Sequence, residues 1–396
     1  MIKHIFTLIW NKKKKNFLLF LEIFFSFMIL FAVFAFIISN MRVYYSPLGF
    51  DTKNVWVANL RIPSSSDSTE IAEMKTLLLQ ELNAMPEVES VSFSAGAYPF
   101  SGNTWSTGND KNGFDFQTCI FFNDEHYAKT AGLNIIEGRW FEEADNTSKY
   151  TPVLITKKFR EQCFAGKPVL DSLFILEDDA EESRLNNVKI IGVVDHYKYD
   201  GEFAEEELGT FIYTPSTSKD TWVTHLRMNN NVQPDAEEKL NKMITAITKR
   251  ADFSIRKLEQ RRIQNSQSTW TPMIALMSIS GFLIINVALG LFGVLWYNIS
   301  KRRSEIGLRR TVGATRSDIS FQFIAEIIMV TLIGIFVGLF FAAQFPIMKL
   351  FDIENINYYY AMLSSAGVIL LLVLICAFYP SRQAAMVNPA MVLHED

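Results

Sequence analysis

Four stretches of this chain, Phe17 to Ile38, Pro272 to Tyr297, Phe321 to Phe345 and Ala361 to Phe378, are each long and apolar enough to cross a bilayer as a helix. The hydrocarbon layer requires roughly 20 mostly apolar helical residues, and each stretch meets or approaches that length. Inside them the only charged residues are Glu22 and Glu326. The first stretch reads as a retained anchor: its apolar run is too long for a signal peptide and no small-residue cleavage site precedes Arg42. Composition agrees with a chain divided between lipid and water, since 49% of its residues are hydrophobic while 20% are charged.

The basic residues set an expected orientation, because Lys and Arg beside a span are retained on the cytosolic side. Lys12 to Lys15 precede the first span, Lys301, Arg302, Arg303, Arg309, Arg310 and Arg316 lie between the second and third, and Arg382 follows the fourth. The loop between spans three and four has only Lys349. Both termini are therefore expected in the cytosol and the long stretch Met41 to Thr269 outside. That stretch carries 25 basic and 34 acidic residues, whereas the rest of the chain is net basic. An acidic exported domain is not a nucleic-acid binder.

Within the exported stretch, Val55 to Leu60 alternates like a half-buried strand, Ser68 or Thr69 is placed to cap a helix running to Asn83, and Val88 to Phe93 alternates again. A matching pattern returns with Trp222 to Met228, a helix from Pro234 to Arg250 and a short edge at Phe253 to Ile255. Two β-α-β halves split by an insertion predict a ferredoxin-like α/β subdomain. The insertion reads mostly as strands at Cys119 to Phe122, Val153 to Thr156, Val188 to Val194 and Phe211 to Tyr213, and is expected to form a β-rich lobe. Arg256 to Gln267 is helical and charged and leads to the second span, where Pro272 could kink or interrupt it. A bridge between Cys119 and Cys163 is chemically allowed outside the cytosol, although the spacing defines no framework.

The sequence contains no GxxxxGK[ST] run to wrap phosphates, no GxSxG elbow, and no HxxxH or CxxC partner for His196, so Asp195-His196, His126 and His225 are read as solvated or structural. No catalytic residue, metal or cofactor is expected on this chain. Ile2, Ile5, Phe6, Ile9 and Trp10 repeat at helical spacing ahead of the lysine cluster, which suits an interfacial helix on anionic lipid. Gly334 and Gly338 form a small-xxx-small pair in the third span, equally suited to a contact within the chain or to a dimer seam. Glu326 and Asn286 have no second buried charge in view, so interhelical hydrogen bonding is expected of them.

The basic loop is more specific than its charge. Glu305 and Arg309 stand four residues apart, a spacing that pairs them on one helix face, while Gly307 and Gly313-Ala314 keep the surface small. The run Glu305-Ile306-Gly307-Leu308-Arg309-Arg310-Thr311-Val312-Gly313-Ala314-Thr315-Arg316 resembles the E-I-G-x-[RK]-[RK]-x-x-G-A-[TS] hallmark of the MacB/FtsX-like permease family of ABC transporters. Tyr379-Pro380-Ser381-Arg382-Gln383-Ala384-Ala385 with Asn388-Pro389-Ala390 resembles that family's closing motif. The outer stretch is similar to the family's periplasmic core domain, notably at Gly132-Leu133, Glu137 to Phe141 and Ile190 to Asp195.

The resemblance implies a four-helix membrane subunit with an extracytoplasmic α/β domain, set in a bacterial inner membrane. It implies a non-catalytic permease that dimerises with a second copy or a paralogue and couples ATP hydrolysis by a separate cytosolic ABC ATPase to conformational work outside, on a lipoprotein, peptide or drug cargo, with room for a periplasmic adaptor. Members of the MacB type carry the ATPase on the same chain, and this sequence departs from them there. Glu305, Gly307, Arg309, Arg310, Gly313, Ala314 and Arg316 would dock the ATPase. On this reading the segments are an interfacial N-terminus 1–16, span 17–40, core domain 41–269, span 270–297, coupling loop 298–320, span 321–345, external loop 346–360, span 361–378 and tail 379–396. The core domain divides into a ferredoxin-like part 41–96 and 222–255, an insertion 97–221 and a stalk 256–269. Two alternatives remain in the sequence: an FtsX-like regulator of a cell-wall hydrolase, and a membrane-anchored sensor without an ATPase.

Overall fold

The structure is a computed structural model, and it describes residues 13–60, 67–164, 166–176, 184–249, 253–351 and 353–385. The expected interfacial repeat of Ile2 to Trp10 and the Asn388-Pro389-Ala390 motif lie outside the described residues. The chain divides into a helical unit, residues 1–42 and 270–396, and a sheet unit, residues 43–269. Among the described residues the first element is helix α1 (Lys13–Tyr44).

In the sheet unit, β1 (Val55–Asn59), α2 (Ser68–Ala84) and β2 (Val88–Ala95) form the first β-α-β half. The insertion adds β3 (Trp105–Asn109), β4 (Phe116–Asn123), α3 (Tyr127–Ala131), β5 (Ile135–Gly138), β6 (Thr151–Thr156), α4 (Lys157–Phe164), β7 (Leu173–Phe174), β8 (Val188–Val194) and β9 (Gly209–Tyr213). The second half is β10 (Val223–Met228), α5 (Ala236–Thr248) and β11 (Ser254–Lys257). Strand order β11-β1-β10-β2 with every neighbour antiparallel is the ferredoxin-like arrangement. The N-cap of α2 is Asp67, whose side chain accepts from the Thr69 amide at 3.2 Å, one residue before the Ser68 expected from the sequence. A carboxylate there satisfies an orphan amide and meets the positive end of the helix dipole.

The half-buried strand expected at Val55 to Leu60 is instead buried on both faces, because Val55-Trp56-Val57-Ala58 is an unbroken apolar run whose period of two feeds two cores. Trp56 and Ala58 point with Phe93, Leu226, Leu78 and Leu240 into the core under α2 and α5. Val55 and Val57 face the opposite core with Phe121, Tyr127, Tyr197 and Phe211. The insertion is β-rich as expected and has a core of its own around Phe116, Val153 and Phe159, and it is joined edge to edge to the ferredoxin-like strands. Ser94 pairs with Asn123 and Ala95 with Phe122, so β4 extends the same sheet, which continues through β9, β6, β8 and β5. Pairs β4–β9 and β6–β8 run parallel, which makes the insertion mixed and places α4 in a crossover. Cys119 and Cys163 are free thiols, and the Cys119 thiol donates to Glu207 at 2.6 Å.

Helix α6 (Leu258–Ser300) starts directly after β11, so Arg256 and Lys257 are strand residues rather than the first turn expected of the stalk. It passes Pro272 without a break. Within the sheet unit its first turns are fixed by charge: Arg262 donates to Glu202 at 2.9 Å and Ser266 to the same carboxylate at 2.6 Å. After α7 (Arg303–Thr311), α8 (Arg316–Ala342) and the short α9 (Gln344–Ile347) are followed by α10 (Asn355–Ala385). Helices α1, α6, α8 and α10 include four segments of membrane-crossing length and hydropathy.

In the helical unit, Gly334 and Gly338 of α8 face Ile23 and Phe27 of α1, so the small-xxx-small pair serves a contact within the chain. A methyl group at Gly338 would overlap the Phe27 ring, which is fully buried. Gly338→Leu is expected to overpack this seam and destabilise the helical unit by about 1–3 kcal/mol. Thermal unfolding of the purified membrane protein measures this, and a midpoint equal to the parent's would refute it.

Candidate functional site

Helix α7 is held between α6 and α8 by a small apolar cluster. Ile299, Ile306, Ile319 and Phe323 are buried together, with Ala314 packed against them. Two polar contacts flank it. Arg302 Nη1 donates to Glu326 Oε2 at 2.9 Å with the guanidinium over the Phe323 ring, and Arg309 Nη1 donates to Gln322 Oε1 at 2.6 Å. The polypeptide then reverses at Gly313, whose φ of 107° lies where L side chains are strained. Thr315 caps α8 through a capping box: its hydroxyl accepts from the Asp318 amide at 3.2 Å, and the Asp318 carboxylate accepts from the Thr315 amide at 3.0 Å.

The residues expected to dock a partner fall into distinct environments. Gly307 is buried, Ala314 is half-buried against the cluster, and Gly313 and Arg316 are exposed. Arg309 is tied to Gln322. Glu305 and Arg310 are on α7, but their side chains lie outside the described residues, and with them the expected Glu305–Arg309 pair. Sequence reasoning did not single out Leu308 and Val312, which are 59% and 83% exposed, the first on α7 and the second just past its end. A helical plot of the hallmark would have found them, since both fall opposite buried Ile306 and Gly307. The expectation that Glu326 lacks a charged partner is corrected by Arg302, which lies 24 positions away in sequence and meets it only because α7 folds α6 back toward α8.

Among the described residues, His126, His196 and His225 each lie against a neighbouring polar or charged side chain. His196 Nδ1 lies 2.8 Å from Glu206 Oε2, and His126 is 3.7 Å from Glu125. His225 is fully buried, 2.8 Å from Ser94 Oγ and edge-on to Tyr127, and burial pushes its imidazole down to about 3. Lys75 is 1% exposed. Its ammonium donates to the carbonyls of Ser218 and Thr221, and burial pushes it down to about 7 against the opposing pull of Asp124 and Asp220. Asp124, itself buried, accepts from the Phe93 amide at 2.6 Å, and burial raises its carboxyl well above the usual range. Among the described residues no three His, Cys, Asp or Glu side chains converge as a metal site.

A four-helix unit interrupted by a ferredoxin-like sheet unit, with a short helix turned between its second and third spans, is the layout of a transporter permease. Residues 18–250 match the MacB-like periplasmic core domain, and residues 277–389 match the FtsX-like permease C-terminal domain. The chain belongs to the MacB/FtsX-like family of ABC transporter permeases. It is 25% identical to the macrolide export ATP-binding/permease protein MacB of Bartonella quintana over 295 residues, covering 69% of this chain and 42% of the relative. With the protein of the same name in Neisseria gonorrhoeae it shares 23% over 346 residues, 82% of this chain and 50% of the relative. The chain thus spans half or less of the length of these curated relatives. The crystal structure of the periplasmic region of MacB from Actinobacillus actinomycetemcomitans aligns with a TM-score of 0.36 and 14% identity, covering 55% of this chain and 95% of that one.

Both members of the Arg302–Glu326 pair are mostly buried. The pair is a shared buried contact, so Glu326→Ala is expected to cost about 1–3 kcal/mol, while the double change Arg302→Met with Glu326→Leu recovers part of it. Thermal unfolding of the three variants tests this, and simple additivity would count against coupling. In the sheet unit the folded His225 imidazole stays neutral to about 3, whereas the unfolded side chain takes a proton below 6.5. Stability from this group is therefore lost as the pH falls through that window, on the order of 3 kcal/mol down to about pH 4. The stability difference between the parent and His225→Gln should shrink on acidification; a pH-independent difference would show that the imidazole does not titrate this way.

Proposed function

We propose that the chain is the permease subunit of an ATP-driven complex, and that α7 is the element on which a cytosolic ABC ATPase docks. The carrying observation is the construction of α7 and the turn after it: Ile306 and Arg309 anchor the helix to its neighbours, while Leu308 on it, Val312 and Gly313 in the turn and Arg316 at the start of α8 remain outward. An exposed apolar pair beside cationic groups suits an interface with another protein. Family membership and the MacB name of its relatives support a separate or additional ATPase module, because this sequence carries no phosphate-cradling run.

On this reading the protein sits in a bacterial inner membrane with both ends and α7 in the cytosol and the sheet unit outside, in accord with the basic residues beside the spans. Helix α6 would carry motion from the ATPase outward, since one unbroken helix begins among Leu258, Arg262 and Ser266 and ends beside α7. The subunit would act as a dimer, with a second copy or a paralogue, and its work would be export or extraction of an extracytoplasmic cargo.

The test uses Gly313. Nothing in this chain blocks a Cβ there, so the substitution acts through the backbone at φ 107° or through the docking surface itself, not through the helical core. Gly313→Val should re-aim the turn and abolish co-purification of the ATPase while membrane insertion and unfolding midpoint stay near the parent's. Undiminished co-purification would sink the docking role.

A further inference from the structure

Besides the α7 turn, the sheet unit has a cavity of about 420 Å³ between the ends of β2, β3 and β9 and the loop 214–222. This volume falls within the range of small-molecule sites. Two indoles belong to its wall. Trp105, at the start of β3, is 44% exposed and edge-on to Phe122 at 5.3 Å, and Trp222 lines the cavity as well. Set among them are a carboxylate, Asp220, a guanidinium-bearing residue, Arg184, and the hydroxyl side chain of Ser218.

The loop that supplies Ser218, Asp220 and Trp222 is built rather than loose. The Thr214 amide donates to Asn123 O at 3.0 Å, the Ser218 amide to Pro215 O at 2.8 Å, and the Leu60 amide to Trp222 O at 2.8 Å. From beneath, the buried Lys75 ammonium donates to the Ser218 and Thr221 carbonyls and to the Thr221 hydroxyl. Burying an ammonium is costly unless its protons are satisfied, so these three acceptors fix the loop to α2. A site so preformed loses little ordering entropy on binding.

We propose that this cavity binds an uncharged saccharide of one or two rings, with a sugar face laid on Trp105 and hydroxyls meeting Asp220, Arg184 and Ser218. A purely apolar guest would strip water from a carboxylate and a guanidinium without replacing its hydrogen bonds. A guest of one charge would meet both signs in the lining, with Lys75 behind Asp220. Vicinal hydroxyls donate to a carboxylate and accept from a guanidinium, and the C–H face of a pyranose covers an indole, so a neutral sugar satisfies both kinds of wall. The site lies wholly within residues 95–222 and its occupancy does not depend on the ATPase-docking role of α7.

The full chain, in lipid nanodiscs free of glycoside detergent and without nucleotide, is titrated with maltose, cellobiose and diacetylchitobiose by saturation-transfer NMR. Glucose 6-phosphate and 1-naphthol serve as the charged and apolar comparators. At least one disaccharide should bind saturably, weakened about tenfold or more by Trp105→Ala and by Asp220→Asn. Trp105→Phe should retain most of the affinity, since it preserves an aromatic face. Unfolding midpoints near the parent's verify that these exposed-site variants fold. Saturable binding that both variants leave unchanged, binding of 1-naphthol or glucose 6-phosphate alone, or no saturable sugar at all would each overturn the proposal.

Discussion

Hydrocarbon offers the backbone no hydrogen-bond partners, and that constraint governs everything else in this chain. Segments long and apolar enough to cross must close their amides within a helix, which leaves only side chains to hold one helix against the next. Packing there cannot draw on hydrophobic transfer, since lipid tails are as apolar as leucine. The seam therefore relies on close approach, with the Gly334 and Gly338 positions admitting Ile23 and Phe27. Charge pairs also tie the helices, exposed in Arg42 with Glu354 and mostly buried in Arg302 with Glu326.

The sheet unit answers to a different solvent and uses a different device. Its antiparallel ferredoxin-like strands keep helices on one face only, which would leave the other face wet. The insertion covers that second face with an aromatic core of Phe121, Tyr127, Tyr197 and Phe211, and it does so by continuing the sheet through β4. Buried polar groups are then tied down individually. His225 is held to Ser94, Tyr127 to Tyr197 and Asp124 to the Phe93 amide. Such satisfied groups specify one arrangement of the core more than they add stability.

Much of the ferredoxin-like half was legible because its strands are short apolar-rich runs and α2 carries apolar residues at Ile71, Leu78 and Leu82, one helical face. Short elements such as β3, β5, β7 and α4 were not, since a few residues of strand or helix stand out only when neighbours pair with them. At the α7 turn the motif marked a segment, yet it did not separate the residues packed against neighbouring helices from the outward ones. Ile306 and Leu308 differ little in chemistry, and only the presence of Ile299, Ile319 and Phe323 on one side makes the first buried and the second exposed.

Local composition and spacing by themselves determined the four crossing segments, the acidic domain between the first two and the short basic turn between the next two, because each depends on solvent preference or periodicity within one stretch. Tertiary structure alone decided which residues far apart in sequence meet: Arg302 with Glu326, Gly338 with Phe27, Lys75 with the carbonyls of Ser218 and Thr221, and β2 with β4. These contacts close loops of very different length, and the entropy of closing them grows too slowly with length for sequence separation to favour one partner over another. Shape, register and the satisfaction of buried charge make that choice, and they exist only once the chain has folded.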